Sequence, residues 1–393
     1  MSRKKSPAPA ARSKLPRNPL LRGPRALDAR RLCVVGVGAS AGGLEAFKQF
    51  LGELPDDSPM AFVLIQHLDP TQESLSSEIL SRVTPLPVAE IKDGMRLKPG
   101  HVYVNPPNHG LRLHRGTLKL VPRREARGHQ SGIDAFFTSL AEDQQTHAIG
   151  VVLSGTGSDG TEGLKAIKAS GGLTFAQTPA SARFPDMPRS AIASGNVDFV
   201  LTPKQVAEEL VQVARYQRGR KPVDAPESAE GEPAEGMQLV FQLLKVGCHV
   251  DFSSYKSNTL QRRLARRMTL RKIENLDSYI RLLSSDPQEV KALYADILIH
   301  VTRFFRDPEA YDALAREVFP KLIRKRVPGA SIRIWIPGCS TGEEVYSVAI
   351  SLIEALGDRV SDTPVQIFAS DISEEAIQRA RIAEYPESIS EDV

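Results

Sequence analysis

A serine set between glycines, a histidine and an aspartate each follow a short apolar run, and together they are the parts of a nucleophilic hydrolase. Ser40 stands in Gly38-Ala-Ser40-Ala-Gly42, a Gly-x-Ser-x-Gly pattern in which a tight turn presents the hydroxyl. His67 follows the apolar run in LIQHLDP, and Asp159 follows the run in LSGTGSDGTEG. In such a set the imidazole takes the serine proton, and the carboxylate fixes the tautomer and stabilises the imidazolium. Backbone N–H groups of the glycine turns supply an oxyanion site. Other readings stay open. Gly36 to Gly43 also fits Gly-x-Gly-x-x-Ala, a dinucleotide-binding turn, or a plain strand-to-helix turn. Ser40 and Asp159 also suit helix N-caps, and His67 an ordinary strand-end histidine. The dinucleotide reading requires an acid about 20 residues on at a strand end. Ile65 and Gln66 end the second run instead, and Asp69 comes after His67.

A second cluster is Trp335-Ile-Pro-Gly-Cys-Ser-Thr-Gly-Glu-Glu-Val-Tyr346, with Asp371 ending the next apolar run. Gly338 and Gly342 allow close backbone approach by a nucleoside. Acids at this turn repel a pyrophosphate and attract a cationic amino group, which favours S-adenosylmethionine over NAD. An acid at the end of the second strand is placed for a ribose hydroxyl. The plain alternative is a structural turn with exposed glutamates.

The elements that must position these residues follow from periodicity. LCVVGVG (32–38), AFVLI (61–65) and AIGVVLSG (148–155) read as strands, and GLEAFKQFLGEL (43–54) and GTEGLKAIKASG (160–171) as helices. Strand, glycine turn and helix in repetition predict a doubly wound parallel sheet, an α/β fold. HVYVNPP and TLKLVP read as antiparallel hairpin additions. Residues 1–31 are basic, rich in Pro and Ala, and predicted to be a disordered tail. Residues 32–215 form the first domain, and the Gly/Pro/Glu-rich stretch 216–236 reads as a linker. Residues 237–330 have helical periodicity throughout. From 331 the α/β rhythm returns as a partial Rossmann-like domain, with two strands and two helices before Val393.

VGASAGGLEA, IQHLDP, PGHVYVNPP, LSGTGSDGTEGLKAIKASGG and QTPASARFPDMPRSAIASGNVDFV occur in that order. Over about residues 32–215 they resemble the catalytic domain of chemotaxis protein-glutamate methylesterases. The resemblance implies a triad of Ser40, His67 and Asp159, with backbone oxyanion donors at Ala41 and Thr156. It implies hydrolysis of glutamyl methyl esters, or of glutamine side-chain amides, on receptor cytoplasmic helices. Residues 237–393, with VTRFFRDPEAY, resemble the chemotaxis receptor methyltransferases. That resemblance implies S-adenosylmethionine as cofactor, touched by Thr302 and Arg306. It implies Glu344 on the cofactor's amino group and Asp371 on its ribose. The basic run Arg262, Arg263, Arg266 and Arg267 reads either as a dock for an acidic receptor region or as a solvated face.

Departures from these families set further expectations. Ala41 stands where threonine is frequent, and Thr156 stands between Gly155 and Gly157 where Gly-Met-Gly is usual. A backbone donor at 156 survives that change. Regulation by a preceding receiver domain is expected to be absent. The later Arg-Asn and Tyr-Phe signature of the methyltransferases is not reached by Val393, so the second half is expected to be incomplete and weak toward its cofactor. The net charge of +4, with 41% hydrophobic and 25% charged residues, gives no general case for nucleic acid. No apolar run reaches the roughly 20 residues of a membrane span. Cys33, Cys248 and Cys339 lack metal-ligand spacing, so no metal site is expected, and a reducing cytoplasm is. The rival functions are a receptor-docking scaffold without turnover and a nucleotide-dependent oxidoreductase using Gly36–Gly43.

Overall fold

A computed structural model of the chain describes residues 32–66, 76–122, 132–219, 235–255, 257–298, 302–325, 327, 329–385 and 389. The expected tail (1–31), most of the expected linker (220–234) and His67 lie outside the described residues. The chain runs through β1 (Val34–Ala39), α1 (Gly43–Leu51), β2 (Ala61–Gln66), α2 (Ser76–Ser81), β3 (Val88–Glu90) and β4 (His101–Val104). Next come β5 (His109–His114), β6 (Thr117–Pro122), α3 (Gly132–Gln144), β7 (Ala148–Val152) and α4 (Thr161–Ala169). Then follow β8 (Leu173–Gln177), α5 (Asp186–Ala193), β9 (Phe199–Leu201) and α6 (Pro203–Gly219).

Seven strands form one sheet in the order β3-β4-β2-β1-β7-β8-β9, each pair parallel. The run HVYV is therefore β4, inside the parallel sheet between β3 and β2, and not part of a hairpin. TLKLVP does form the expected antiparallel hairpin, with β5. Continuous burial of β1, β2, β7 and β8 explains their unbroken apolar runs, since helices cover both faces of the sheet. One face buries Val35, Val37 and Phe62 against Phe47 and Phe50 of α1 and Leu210 of α6. The other buries Val34, Val63 and Val152 with Phe136 and Phe137 of α3 and Leu164 of α4.

The first glycines of the dinucleotide-like turn serve this packing. A Cβ at Gly36 would meet Phe137 Cε1 at 2.8 Å, and one at Gly38 would meet Ile133 Cγ2 at 2.5 Å. Both positions let α3 lie close on the strand, which accounts for the glycines without a nucleotide.

After the sheet domain come four helices around one apolar cluster: α7 (Glu235–Cys248), α8 (Ser257–Leu270), α9 (Leu276–Ser285) and α10 (Pro287–Ile297). The last unit has α11 (Pro308–Ala313), a π-helical turn (Leu314–Val318), α12 (Phe319–Lys325), β10 (Ile332–Pro337), α13 (Glu343–Leu356), β11 (Val365–Ser370) and α14 (Glu374–Ile382). β10 and β11 pair in parallel, as a Rossmann-like half requires. Among the described residues no helix is long and apolar enough to cross a membrane.

Candidate functional site

β1 lies between β2 and β7, and the connections from β1 and β7 leave toward opposite sides of the sheet. That divergence is a switch point, where a crevice opens at the carboxyl ends of the strands. Ser40 is the residue after β1, and the loop from Leu153 to Gly160 follows β7. The two loops meet. Ser40 N–H donates to Ser154 O at 3.0 Å, and a Cβ at Gly155 would stand 3.0 Å from Ser40 Cβ. His67 follows Gln66, the last residue of the neighbouring β2.

Ser40 is not a helix N-cap. Gly42 occupies that position of α1 with φ of 73°, and no side chain caps it. The turn needs glycine there, because a left-handed φ strains any other residue and a Cβ would press on Ser154 Oγ at 2.9 Å. Asp159 does not cap the helix that follows it either, since Gly160 is the N-cap of α4. Its buried carboxylate instead reaches the start of α3. Oδ2 accepts Ile133 N–H at 3.1 Å and Oδ1 accepts Asp134 N–H at 3.0 Å. The Asp134 carboxylate returns the arrangement by accepting Gly163 N–H of α4 at 2.6 Å. Two helix starts are thus tied together around Asp159, where an anion is favoured by the helix dipole.

Three residues that sequence reasoning passed over hold this edge together. Ser154 Oγ donates to Ala41 O at 2.9 Å and accepts Phe184 N–H at 3.0 Å, while Ser154 N–H donates to Gln177 Oε1 at 2.9 Å. Ser154 is 1% exposed, so these bonds are dry and the loss of any partner is costly. Asp134 is the third. Only one signal marked them in the sequence: Ser154 and Gln177 stand at the ends of apolar strand runs. Ser154→Ala is expected to cost about 1–3 kcal/mol of stability. It should also loosen the turn that carries Ser40, because the loop carrying Ala41 loses its anchor. Thermal unfolding and hydrogen exchange measured on one preparation check both. Gly155→Ala should act more strongly, since its Cβ would fall within the Met187 sulfur.

The second set of expected residues shares one cavity. Thr302, Arg306, Glu344 and Asp371 all line one cavity of about 750 Å³, with Gly338 and Ser340 on its floor. That volume lies within the roughly 300–1,000 Å³ of small-molecule sites. Asp371 Oδ2 accepts Ser340 N–H and Oδ1 accepts Ser373 N–H, both at 2.9 Å. Each oxygen keeps a lone pair for a ligand hydroxyl. A Cβ at Gly338 would meet nothing within 4 Å, so the backbone there faces open space. Ser340 Oγ is buried with no hydrogen-bond partner among the described residues. Two acids, an arginine, an orphaned hydroxyl and a bare glycine match the needs of an amino acid joined to a nucleoside.

Two arginines of the basic run, Arg263 and Arg266, fit neither reading of it. Arg263 and Arg266 of α8 are 3% and 2% exposed, and they bond to the sheet domain. They present no solvated face to an acidic partner.

Comparison with known proteins matches the chain to three family models. The family described as CheB methylesterase matches residues 35–210. CheR methyltransferase, all-alpha domain, matches residues 235–298, and CheR methyltransferase, SAM binding domain, matches residues 300–393. A putative protein-glutamate methylesterase/protein-glutamine glutaminase of Leptospira interrogans is 34% identical over 45% of the chain and 92% of its own length. Protein-glutamate methylesterase/protein-glutamine glutaminase 2 of Pseudomonas aeruginosa is 38% identical over 46% of the chain and 53% of its length. An uncharacterized 104.1 kDa protein in the hypE 3' region of Rhodobacter capsulatus is 36% identical over 81% of the chain. The chain spans 35% of that protein, and about half of the Pseudomonas one. The crystal structure of the Thermotoga maritima CheB methylesterase catalytic domain is 28% identical, covering 47% of the chain and 99% of its own, with a TM-score of 0.43.

Proposed function

Because the chain belongs to the CheB methylesterase family, we propose that its first domain hydrolyses glutamyl methyl esters, and glutamine side-chain amides, on chemoreceptor cytoplasmic helices with Ser40, His67 and Asp159. The observation that carries this reading is the meeting of the Ser40 turn and the Asp159 loop at the switch point beside the end of β2. Ser40 Oγ adds to the ester carbonyl as His67 accepts its proton. The oxyanion is held by the backbone N–H groups of Ala41 and Thr156. Collapse of the intermediate breaks the bond to the methoxy oxygen, which leaves as methanol with the proton from His67. Water, deprotonated by His67, then attacks the acyl carbon, releasing glutamate and restoring Ser40. Asp159 holds the imidazole and is itself held by the start of α3. A cytoplasmic location follows from the substrate.

The second module is read as a receptor glutamate O-methyltransferase. S-adenosylmethionine bound there supplies an electrophilic methyl group for a substrate carboxylate. Arg306 would hold its carboxylate, Glu344 its amino group and Asp371 its ribose hydroxyls, with Thr302 in the same cavity lining. Each charged hydrogen bond contributes about 1.5–3 kcal/mol. Glu344→Ala and Asp371→Ala should therefore each weaken S-adenosylhomocysteine binding by roughly 10- to 100-fold relative to the unaltered chain. Isothermal titration measures this, and equal affinity in all three would remove these residues from the site. The esterase proposal is tested by methanol release from a methylated receptor fragment. Release expected with the unaltered chain and absent with Ser40→Ala supports it, and no release from either would refute it.

A further inference from the structure

In a parallel sheet the covering helices run back against the strands, so their carboxyl ends gather at the edge opposite the crevice. Here α4 ends at Ala169 just before β8, and α5 ends at Ala193 just before β9. Unsatisfied carbonyls at helix ends carry partial negative charge. Asp198, which precedes β9, adds a full charge at the same edge.

The second module meets this edge with arginines. Arg263 donates to Lys168 O at 2.7 Å and to Ala169 O, at the end of α4. Arg266 donates through Nε to Gly172 O at 3.0 Å and forms an ion pair with Asp198. Its remaining terminal nitrogen pairs with Asp296 of α10, within its own domain. Arg379 of α14 donates to Ser194 O, at the end of α5, at 3.3 Å. Away from the arginines, Lys165 of α4 returns a bond to Thr302 O at 2.9 Å, and Lys272 pairs with Glu209 of α6 at 3.0 Å.

We propose that the rear edge of the seven-stranded sheet is a docking face for cationic helices and that α8, through Arg263 and Arg266, is its resident occupant, holding the two modules as one body. The charge pattern argues for this beyond the contacts themselves. Two helix ends and one aspartate are matched by three arginines from two separate helices. Arg263 and Arg266 are then committed within the chain and are not offered to an acidic outside partner. The docked edge is the one opposite Ser40.

Hydrogen–deuterium exchange on the full chain tests the docking. In the unaltered chain, peptides covering 168–173 and 258–267 should both be protected. Arg263→Glu should raise exchange in both together by at least about tenfold, with α9 and α10 unchanged. Arg263 has no bond within its own domain among those described, so the helical domain should stay folded. If α9 and α10 also lose protection, Asp198→Asn decides the matter from the other side of the interface. It should raise exchange in α8 alone of the four helices. Solvent-like exchange at 168–173 in the unaltered chain, or an unchanged α8 in Asp198→Asn, would overturn the proposal.

Discussion

Replacing Ser40 by alanine is expected to lower ester turnover by about 10⁴- to 10⁶-fold, as removal of a triad nucleophile does. Stability should move by no more than about 0.5 kcal/mol. The reason lies in the turn. Ser40 is tied into the fold through its backbone, with N–H on Ser154 O and its own carbonyl accepting Gly43 N–H at 2.9 Å, and alanine keeps both bonds. The first helix is capped by Gly42, so no cap is lost. Steady-state kinetics on an activated ester, beside thermal unfolding, measure the two quantities. Retained turnover in a folded variant would remove Ser40 from the chemistry.

Asp159 should behave differently, because two roles converge on it. Asp159→Ala deprives the buried N–H groups of Ile133 and Asp134 of their acceptor, a loss worth about 1–3 kcal/mol. Asp159→Asn keeps one carbonyl oxygen and should retain part of that stability. It should still lower kcat by roughly 10⁴-fold, as when the acid of a triad can no longer fix the imidazole. The asparagine variant therefore separates the roles. If its turnover is near that of the unaltered chain, Asp159 is a helix anchor only. If turnover collapses while unfolding shifts little, the carboxylate acts on the histidine.

The parallel sheet was legible because its central strands are buried on both faces and so read as unbroken apolar runs. The same rule misplaced His101–Val104, whose alternating HVYV looks like a half-solvated hairpin strand. It pairs in the sheet at a position where Val102, Tyr103 and Val104 are all buried. The placement of Ser40 and Asp159 in the turns after β1 and β7 was legible from glycine spacing. The residues that brace them were not. Ser154, Gln177 and Asp134 act through contacts across 23 to 113 positions of sequence, which no local pattern carries. The glycines at 36 and 38 show the opposite failure. Their spacing suggests nucleotide binding, while their surroundings show that they admit Ile133 and Phe137 of α3. The arginines of α8 were visible as a basic run, but their partner was not. That partner is the end of a helix nearly a hundred residues earlier, whose charge comes from backbone carbonyls, together with Asp198.

The central claim is that Ser40 is the nucleophile of an esterase, and covalent trapping tests it most directly. The full chain is treated with a fluorophosphonate, digested and mapped by mass spectrometry. The account predicts one phosphonyl adduct, on Ser40, formed in step with loss of ester hydrolysis and absent from Ser40→Ala. An adduct on another serine that tracks the loss of hydrolysis, or hydrolysis that persists with Ser40 fully modified, would contradict it.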